Sequence, residues 1–215
     1  MKFICINTAG PRVEAALYND KKITYKSDAF KKASETLFVF VEELLSAENL
    51  TPQDLDFLAV VTGPGSFTGI RIGLTMVKTF AQFCKKRVVG VTYHTLLAYN
   101  NPKCQKTVVL SDAANGLIYA SVFGADKACI SPIEVRPTQE ISAYADAVKP
   151  PYMLVADDTV AKLAAISEKK HIISADNKDA LIAATLANFE KYGAIDYEKI
   201  KPLYVRVAQA EANLS

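Results

Sequence analysis

Apolar residues run without interruption from Phe3 to Ile6 and end on Asn7, the pattern of a strand covered on both faces. Gly10-Pro11 then breaks the chain. Val13 to Tyr18 reads as a second strand, Asn19-Asp20 as a tight turn, and Lys22 to Ser27 as a third strand whose alternation suits one wet face. Connections this short make the three an antiparallel meander. The period becomes helical over Ser34 to Ala47, returns to strand over Leu58 to Thr62, is helical over Thr68 to Phe83 and is strand again over Val88 to Val91. Antiparallel strands followed by parallel strands with crossover helices predict a mixed sheet with helices on its faces, an α/β architecture.

The second half is patterned less sharply. Thr107 to Leu110 and Leu117 to Phe123 flank a turn at Asp112-Ala113-Ala114-Asn115-Gly116, which suggests a hairpin closed by Asn-Gly. Tyr152 to Ala156 and Ile172 to Ser174 read as short strands, with helices at Val160 to Ile166 and Asp179 to Lys191. Asn100-Asn101-Pro102-Lys103 marks a boundary, giving a first unit over residues 1–100 and a second over 101–215. No low-complexity segment or short-period repeat is present.

Two of the helices carry more apolar surface than a sheet needs. At about 100° per residue, Ile70, Leu74, Val77 and Ala81 share a narrow arc, while Ile72, Met76, Phe80 and Phe83 gather on nearly the opposite side. One stripe suffices for packing on a sheet. The preceding helix has a single broad arc of Leu37, Phe38, Phe40, Val41, Leu44 and Leu45, with Val39 outside it. Either the two helices cover one another, or their aromatic-rich surface receives another protein.

Composition narrows the choices a little. Of 215 residues, 50% are hydrophobic and 22% charged, which supports a folded core rather than a disordered chain. A net charge of +2 gives no overall attraction to nucleic-acid backbone. Lys85, Lys86 and Arg87 form a basic cluster, placed where cations complement a helix C-terminus. The cysteines Cys5, Cys84, Cys104 and Cys129 are scattered, with no Cys-x-x-Cys pair, as in a reducing compartment. The first apolar run is too short for a signal peptide, and no run approaches the roughly 20 residues that cross a bilayer. A soluble, cytoplasmic protein without membrane contact is expected.

The most informative stretch is Val60-Val61-Thr62-Gly63-Pro64-Gly65-Ser66-Phe67-Thr68-Gly69-Ile70-Arg71. A strand ends, glycines permit unusual backbone angles, and a helix begins at Ser66 or Thr68. Free N–H groups at a helix start attract anions, and Arg71 would add charge. Gly63, Gly65, Ser66, Thr68, Gly69 and Arg71 are therefore candidate nucleotide or anion ligands. The string lacks the Gly-Lys-Ser/Thr of a Walker loop and the spacing of a Rossmann fingerprint, so a purely structural turn stays open beside the phosphate cradle.

The same string, Gly-Pro-Gly-Ser-Phe-Thr-Gly-Ile-Arg-Ile-Gly-Leu, resembles the hallmark of the TsaB (YeaZ) family. Ile6-Asn7-Thr8-Ala9 resembles that family's first-strand motif, and Ser34-Glu35-Thr36-Leu37 the start of its first helix. Ser111-Asp112-Ala113 with Gly116 and Tyr119 resembles its middle element, and Pro202-Leu203-Tyr204-Val205-Arg206 its C-terminal Pro-x-Tyr-x-Arg. The resemblance implies an actin-like ATPase fold of the sugar-kinase and Hsp70 type, with two lobes of which the C-terminal one is reduced. It also implies a non-catalytic subunit in the synthesis of threonylcarbamoyladenosine at position 37 of tRNA. Such a subunit would pair with a TsaD-type transferase inside a complex that includes a TsaE-type ATPase, and would form a homodimer alone. Contact with tRNA would be mainly indirect. No cofactor would be required, and the resemblance allows ATP or ADP at the partner interface. Pairing through the two helices would place Leu37, Phe38, Val41, Leu45, Ile72, Met76, Phe80 and Phe83 in the interface.

Departures from the pattern weigh against independent chemistry. Asn7 stands where the family usually has Asp, Ala33 where a His often occurs, and Ala114 and Leu117 where Arg and Glu occur. An amide does not supply the anionic oxygen that magnesium prefers, which disfavours the rival reading as an ATP-dependent phosphotransferase or ATPase. A metallopeptidase would need clustered ligands, yet the histidines are only His94 and His171, with no His-x-x-x-His spacing. His94 is expected to cap or pack after its strand, and His171 to be solvated. Gly65-Ser66-Phe67 is not a Gly-x-Ser-x-Gly elbow, and Glu42-Glu43 reads as surface charge. A stand-alone homodimer with a separate role, such as cell-wall upkeep, stays open.

Overall fold

The computed structural model describes residues 1–29, 32–101, 106–164, 172–174 and 177–206. Cys104, His171, and Pro102 and Lys103 of the expected boundary lie outside the described residues. The chain builds β1 (Lys2–Asn7), β2 (Arg12–Asn19), β3 (Lys22–Ala29), α1 (Ala33–Ser46), β4 (Phe57–Val61), α2 (Phe67–Cys84), β5 (Arg87–Val91) and α3 (Tyr93–Ala98). It continues with β6 (Lys106–Asp112), β7 (Leu117–Phe123), β8 (Cys129–Pro137), α4 (Ile141–Ala147), β9 (Tyr152–Ala156), α5 (Asp158–Ala164), β10 (Ile172–Ser174) and α6 (Asn177–Tyr192).

Two five-stranded sheets result, ordered β3-β2-β1-β4-β5 and β8-β7-β6-β9-β10. The second order is the first with five added to every strand. Each sheet is an antiparallel meander whose first strand also pairs in parallel with the strand after the next helix. The chain is thus an α/β protein with a doubled plan, and the second copy is reduced in its first helix. Where α1 has 14 residues, its counterpart α4 has 7. The pattern reading did not contain β8, α3 or α4. These elements are short or half-exposed, and such segments carry little periodicity.

Alternation along β1 sorts its side chains between two helical layers. Phe3 stacks on Phe57, which stacks on Phe189 of α6, and Cys5 accepts a hydrogen bond from Thr185 of α6. On the other face, Ile6 and Thr8 lie against Gly73 of α2. Burial pushes the Cys5 thiol up to about 12, so it behaves as the small hydrophobe expected of it. The second sheet is sorted in the same way. Val109, Phe123 and Val155 join the main core with α3 and α6. Val108, Leu110, Ile118, Ala120, Leu154 and Ala156 form a smaller core with Ile141, Ala145 and Val160.

The second unit does not hold together as residues 101–215. From Asn177 the chain returns to the first sheet: Leu181, Ile182 and Ala184 are buried in the main core, Asn188 donates to the Gly90 carbonyl, and Ile195 bridges Val88. The first lobe is therefore made of two separated stretches of sequence. Among the described residues, no helix is long and apolar enough to cross a membrane.

Candidate functional site

The strands β1, β4, β6 and β9 all deliver their carboxyl ends to one cleft of about 690 Å³ between the lobes. Such strand ends are where α/β sheets ordinarily bind ligands. The first lobe contributes Ala9, Gly10, Pro11, Gly65, Ser66, Phe67, Arg71 and Tyr93, and the second Asp112 to Asn115, Tyr119, Asp157 and Thr159. Leu203, Tyr204 and Arg206 complete the lining. The three motifs at residues 63–71, 111–119 and 202–206, remote in sequence, thus meet in one place.

Much of the glycine turn is committed to the fold. Gly65, at φ +149°, passes so close to β1 that an added Cβ would lie 2.1 Å from the Ala9 carbonyl oxygen. That same oxygen accepts the Ser66 N–H at 2.8 Å. The Ser66 hydroxyl caps α2 by accepting from the Gly69 amide, and Thr8 donates to the Gly69 carbonyl at 2.7 Å. Gly63, at φ +113°, faces the Leu203 carbonyl. Of the proposed anion ligands, Gly65, Ser66 and Arg71 line the cleft, Gly63 and Gly69 are buried behind it, and Thr68 is exposed outside it. The guanidinium of Arg71 lies 4.1 Å from the centre of the Phe67 ring and donates to the Tyr204 hydroxyl. Phe67 also stacks on Tyr204, with ring centres 4.2 Å apart.

The carboxyl groups near the cleft are held by protein donors. Asp157 caps α5 by accepting from Val160, and accepts the Asp112 amide with its other oxygen. Burial raises it from its ordinary range to about 6, against the pull of those amides. Glu14 is buried and receives Asn7, Tyr25 and Asn177, and burial again shifts it upward. Asn7 itself accepts from Ala9, so it is locked into the β1 turn rather than presented to the cleft. Tyr93 is 2% exposed, and its hydroxyl lies where a side chain on Gly10 would be. Asp157, Glu14 and Tyr93 escaped the sequence reading. A single Glu between Val13 and Ala15, and an Asp closing β9, were the signals available.

His94 packs, as expected. It is fully buried between the lobes, with Nδ1 2.6 Å from Ser121 and Nε2 2.9 Å from Ser111. A neutral ring satisfies both contacts by donating at one nitrogen and accepting at the other. Burial lowers it to about 3. Among the described residues, no three His, Cys, Asp or Glu side chains gather as a metal site requires.

The second candidate surface is the outer face of α1 and α2. Ile70, Leu74, Val77 and Ala81 are buried against the sheet, as their arc predicts. Phe38 is 58% and Phe83 80% exposed, while Ile72, Met76 and Phe80 are half-buried. Phe38 meets Phe80 edge-on at 6.0 Å, so the helices partly cover one another. Leu37, Val41 and Leu45 correct the expected interface. They are 0%, 2% and 5% exposed because their arc faces β2 and β3, and they are core. The exposed remainder centres on Phe38, Phe80 and Phe83. Glu42 and Glu43 are exposed as read, and Glu43 pairs with Lys26.

Two lobes of like strand order around a cleft define the actin-like ATPase class of fold. A solved member, the activator of 2-hydroxyisocaproyl-CoA dehydratase from Clostridium difficile with bound ADPNP, matches 95% of this chain and 100% of its own at a TM-score of 0.56 and 8% identity. Residues 24–164 match the family model of TsaD, tRNA N6-adenosine threonylcarbamoyltransferase. The chain belongs to that family, and its relatives include the TsaB (YeaZ) proteins. The tRNA threonylcarbamoyladenosine biosynthesis protein TsaB of Bacillus subtilis is 23% identical over 99% of this chain and 97% of its own. A Pseudomonas aeruginosa protein described as similar to the peptidase YeaZ matches at a TM-score of 0.81 and 17% identity, covering 95% of this chain and 99% of that one.

Proposed function

We propose that this chain is a non-catalytic subunit of tRNA threonylcarbamoyladenosine synthesis, and that it supports a TsaD-type transferase by docking against it. The aromatic patch of Phe38, Phe80 and Phe83 carries the reading. Large rings held on two adjacent helices, with a buried face beneath, have the composition of an interface centre. The polar groups of the cleft support a structural role for it: Arg71, Asp157 and Arg206 all spend hydrogen bonds on the chain itself. The same helix face serves a homodimer when the partner is absent. A TsaE-type ATPase joins the larger complex, tRNA is contacted mainly through the partner, and ATP or ADP is bordered only at the partner interface. Size-exclusion chromatography with light scattering, on the chain alone and mixed with TsaD from the same organism, tests the proposal. A new one-to-one species is expected. A chain that elutes unchanged beside TsaD refutes it.

A further inference from the structure

The C-terminal motif Pro202–Arg206 touches both lobes within a few residues. The Leu203 amide donates to Thr62 at 2.8 Å, and its carbonyl runs against Gly63, where any Cβ would lie 2.7 Å from it. Tyr204 then stacks on Phe67 and accepts from Arg71, all on the first lobe. Two residues later Arg206 crosses to the second lobe, where its guanidinium donates to the Ala113 carbonyl and, at 3.4 Å, to that of Ala114. Those carbonyls belong to a turn that cannot easily retreat. Ala114, Asn115 and Gly116 all have positive φ, and the turn is closed by hydrogen bonds between Ala113 and Leu117 and between Leu117 and Ala114.

We propose that Pro202–Arg206 is an interlobe tie that sets the width of the cleft, anchored on the first lobe by Tyr204 and latched to the second by Arg206. The tie also gives the glycine turn a reason. Gly63 is a glycine because the strap passes over it, and Arg71 is an arginine because its planar guanidinium can lie on Phe67 while donating to Tyr204. Lysine, a point charge on a flexible stem, meets neither need as well. The motifs at 63–71, 111–116 and 202–206 are three parts of one device, and the device stands whether or not the chain pairs with a transferase.

Hydrogen exchange followed by mass spectrometry, on the full chain and on Tyr204→Ala and Arg206→Ala, tests the proposal. A tie transmits its loss to the lobe that was not altered. Arg206→Ala is expected to speed exchange over Ser66 to Arg71, and Tyr204→Ala over Asp112 to Leu117. Each rise should be about tenfold or more, the scale of one lost hydrogen bond to a charged group. Changes confined to the lobe that lost its contact overturn the proposal, as does the absence of any change. Where an alanine variant does not fold by circular dichroism, Arg206→Lys and Tyr204→Phe are read by the same criterion. Tyr204→Phe keeps the ring stack and loses only the Arg71 bond, so it should give a smaller rise on the second lobe.

Discussion

Asn7 and Glu14 stand directly opposite each other in the β1–β2 ladder, and the side-chain amide of Asn7 donates to the buried Glu14 carboxyl. An Asp at this position would set two carboxyl groups against one another. With Glu14 beside it, an amide is the side chain of that shape that both accepts from Ala9 and donates to the acid.

Asn7→Asp is therefore expected to destabilise the fold by about 3 kcal/mol at neutral pH, since it buries a like-charged pair. The pair would titrate above ordinary carboxylates, so the folded state would bind more protons than the unfolded one. Stability then falls as pH rises, and the loss measured by urea unfolding should be larger at pH 7 than at pH 5. Equal losses at both would show that the two groups are not coupled.

His94 and Asp157 pull stability in opposite directions with pH. The histidine goes from 6.5 unfolded to about 3 folded, so the unfolded state binds the extra proton and stability is lost as pH falls through that range. Asp157 goes from 3.8 to about 6, so the folded state binds the extra proton and stability is lost as pH rises through its range. The two slopes oppose each other where they overlap. Asp157→Asn, which keeps the helix cap, should expose an acid loss approaching about 1.4 kcal/mol per pH unit. His94→Gln should instead leave a variant that gains stability on mild acidification. Urea midpoints of both variants from pH 4 to 7, in steps of one unit, check the signs.

The proposed docking surface and the core separate cleanly on α1 and α2. Phe83→Glu removes an exposed ring and should cost under about 0.5 kcal/mol of stability while abolishing co-elution with the partner. Leu37→Ala, in contrast, opens a cavity in the core and should cost about 2–5 kcal/mol. Thermal melts paired with chromatography distinguish the two. A Phe83→Glu variant that pairs normally moves the interface elsewhere.

Two glycines provide a calibrated contrast. Gly65→Ala forces a Cβ onto the Ala9 carbonyl at a positive φ, and should be the more damaging by several kcal/mol. Gly116→Ala meets nothing within 4 Å at φ +73° and should cost only about 1 kcal/mol of left-handed strain. Similar losses at both positions would contradict the close approach at Gly65.

The first lobe was legible because its elements state their period strongly. Continuous apolar β1, alternating β3 and the two arcs of α2 each admit one placement. The return of α6 to that lobe was not legible, because its helical pattern says that one face is buried without saying against which sheet. The same ambiguity produced the error at Leu37, Val41 and Leu45: a broad arc does not reveal where the core ends and the outer face begins. In the cleft, Arg71 and the glycine turn announced themselves by residue type. Tyr93 and Asp157 did not, because a buried tyrosine and a helix-capping aspartate look ordinary until distant strand ends are brought together.

Because α6 fills the face of the first sheet behind Phe3, Cys5 and Phe57, a growing chain that has produced only its first hundred residues holds an unfinished layer. Domains that occupy a single stretch can close while translation continues behind them. This one waits for α6 to leave the ribosome. Until then the side of the sheet meant for α6 is bare, and the lobe that carries α1 and α2 leaves apolar surface open to water.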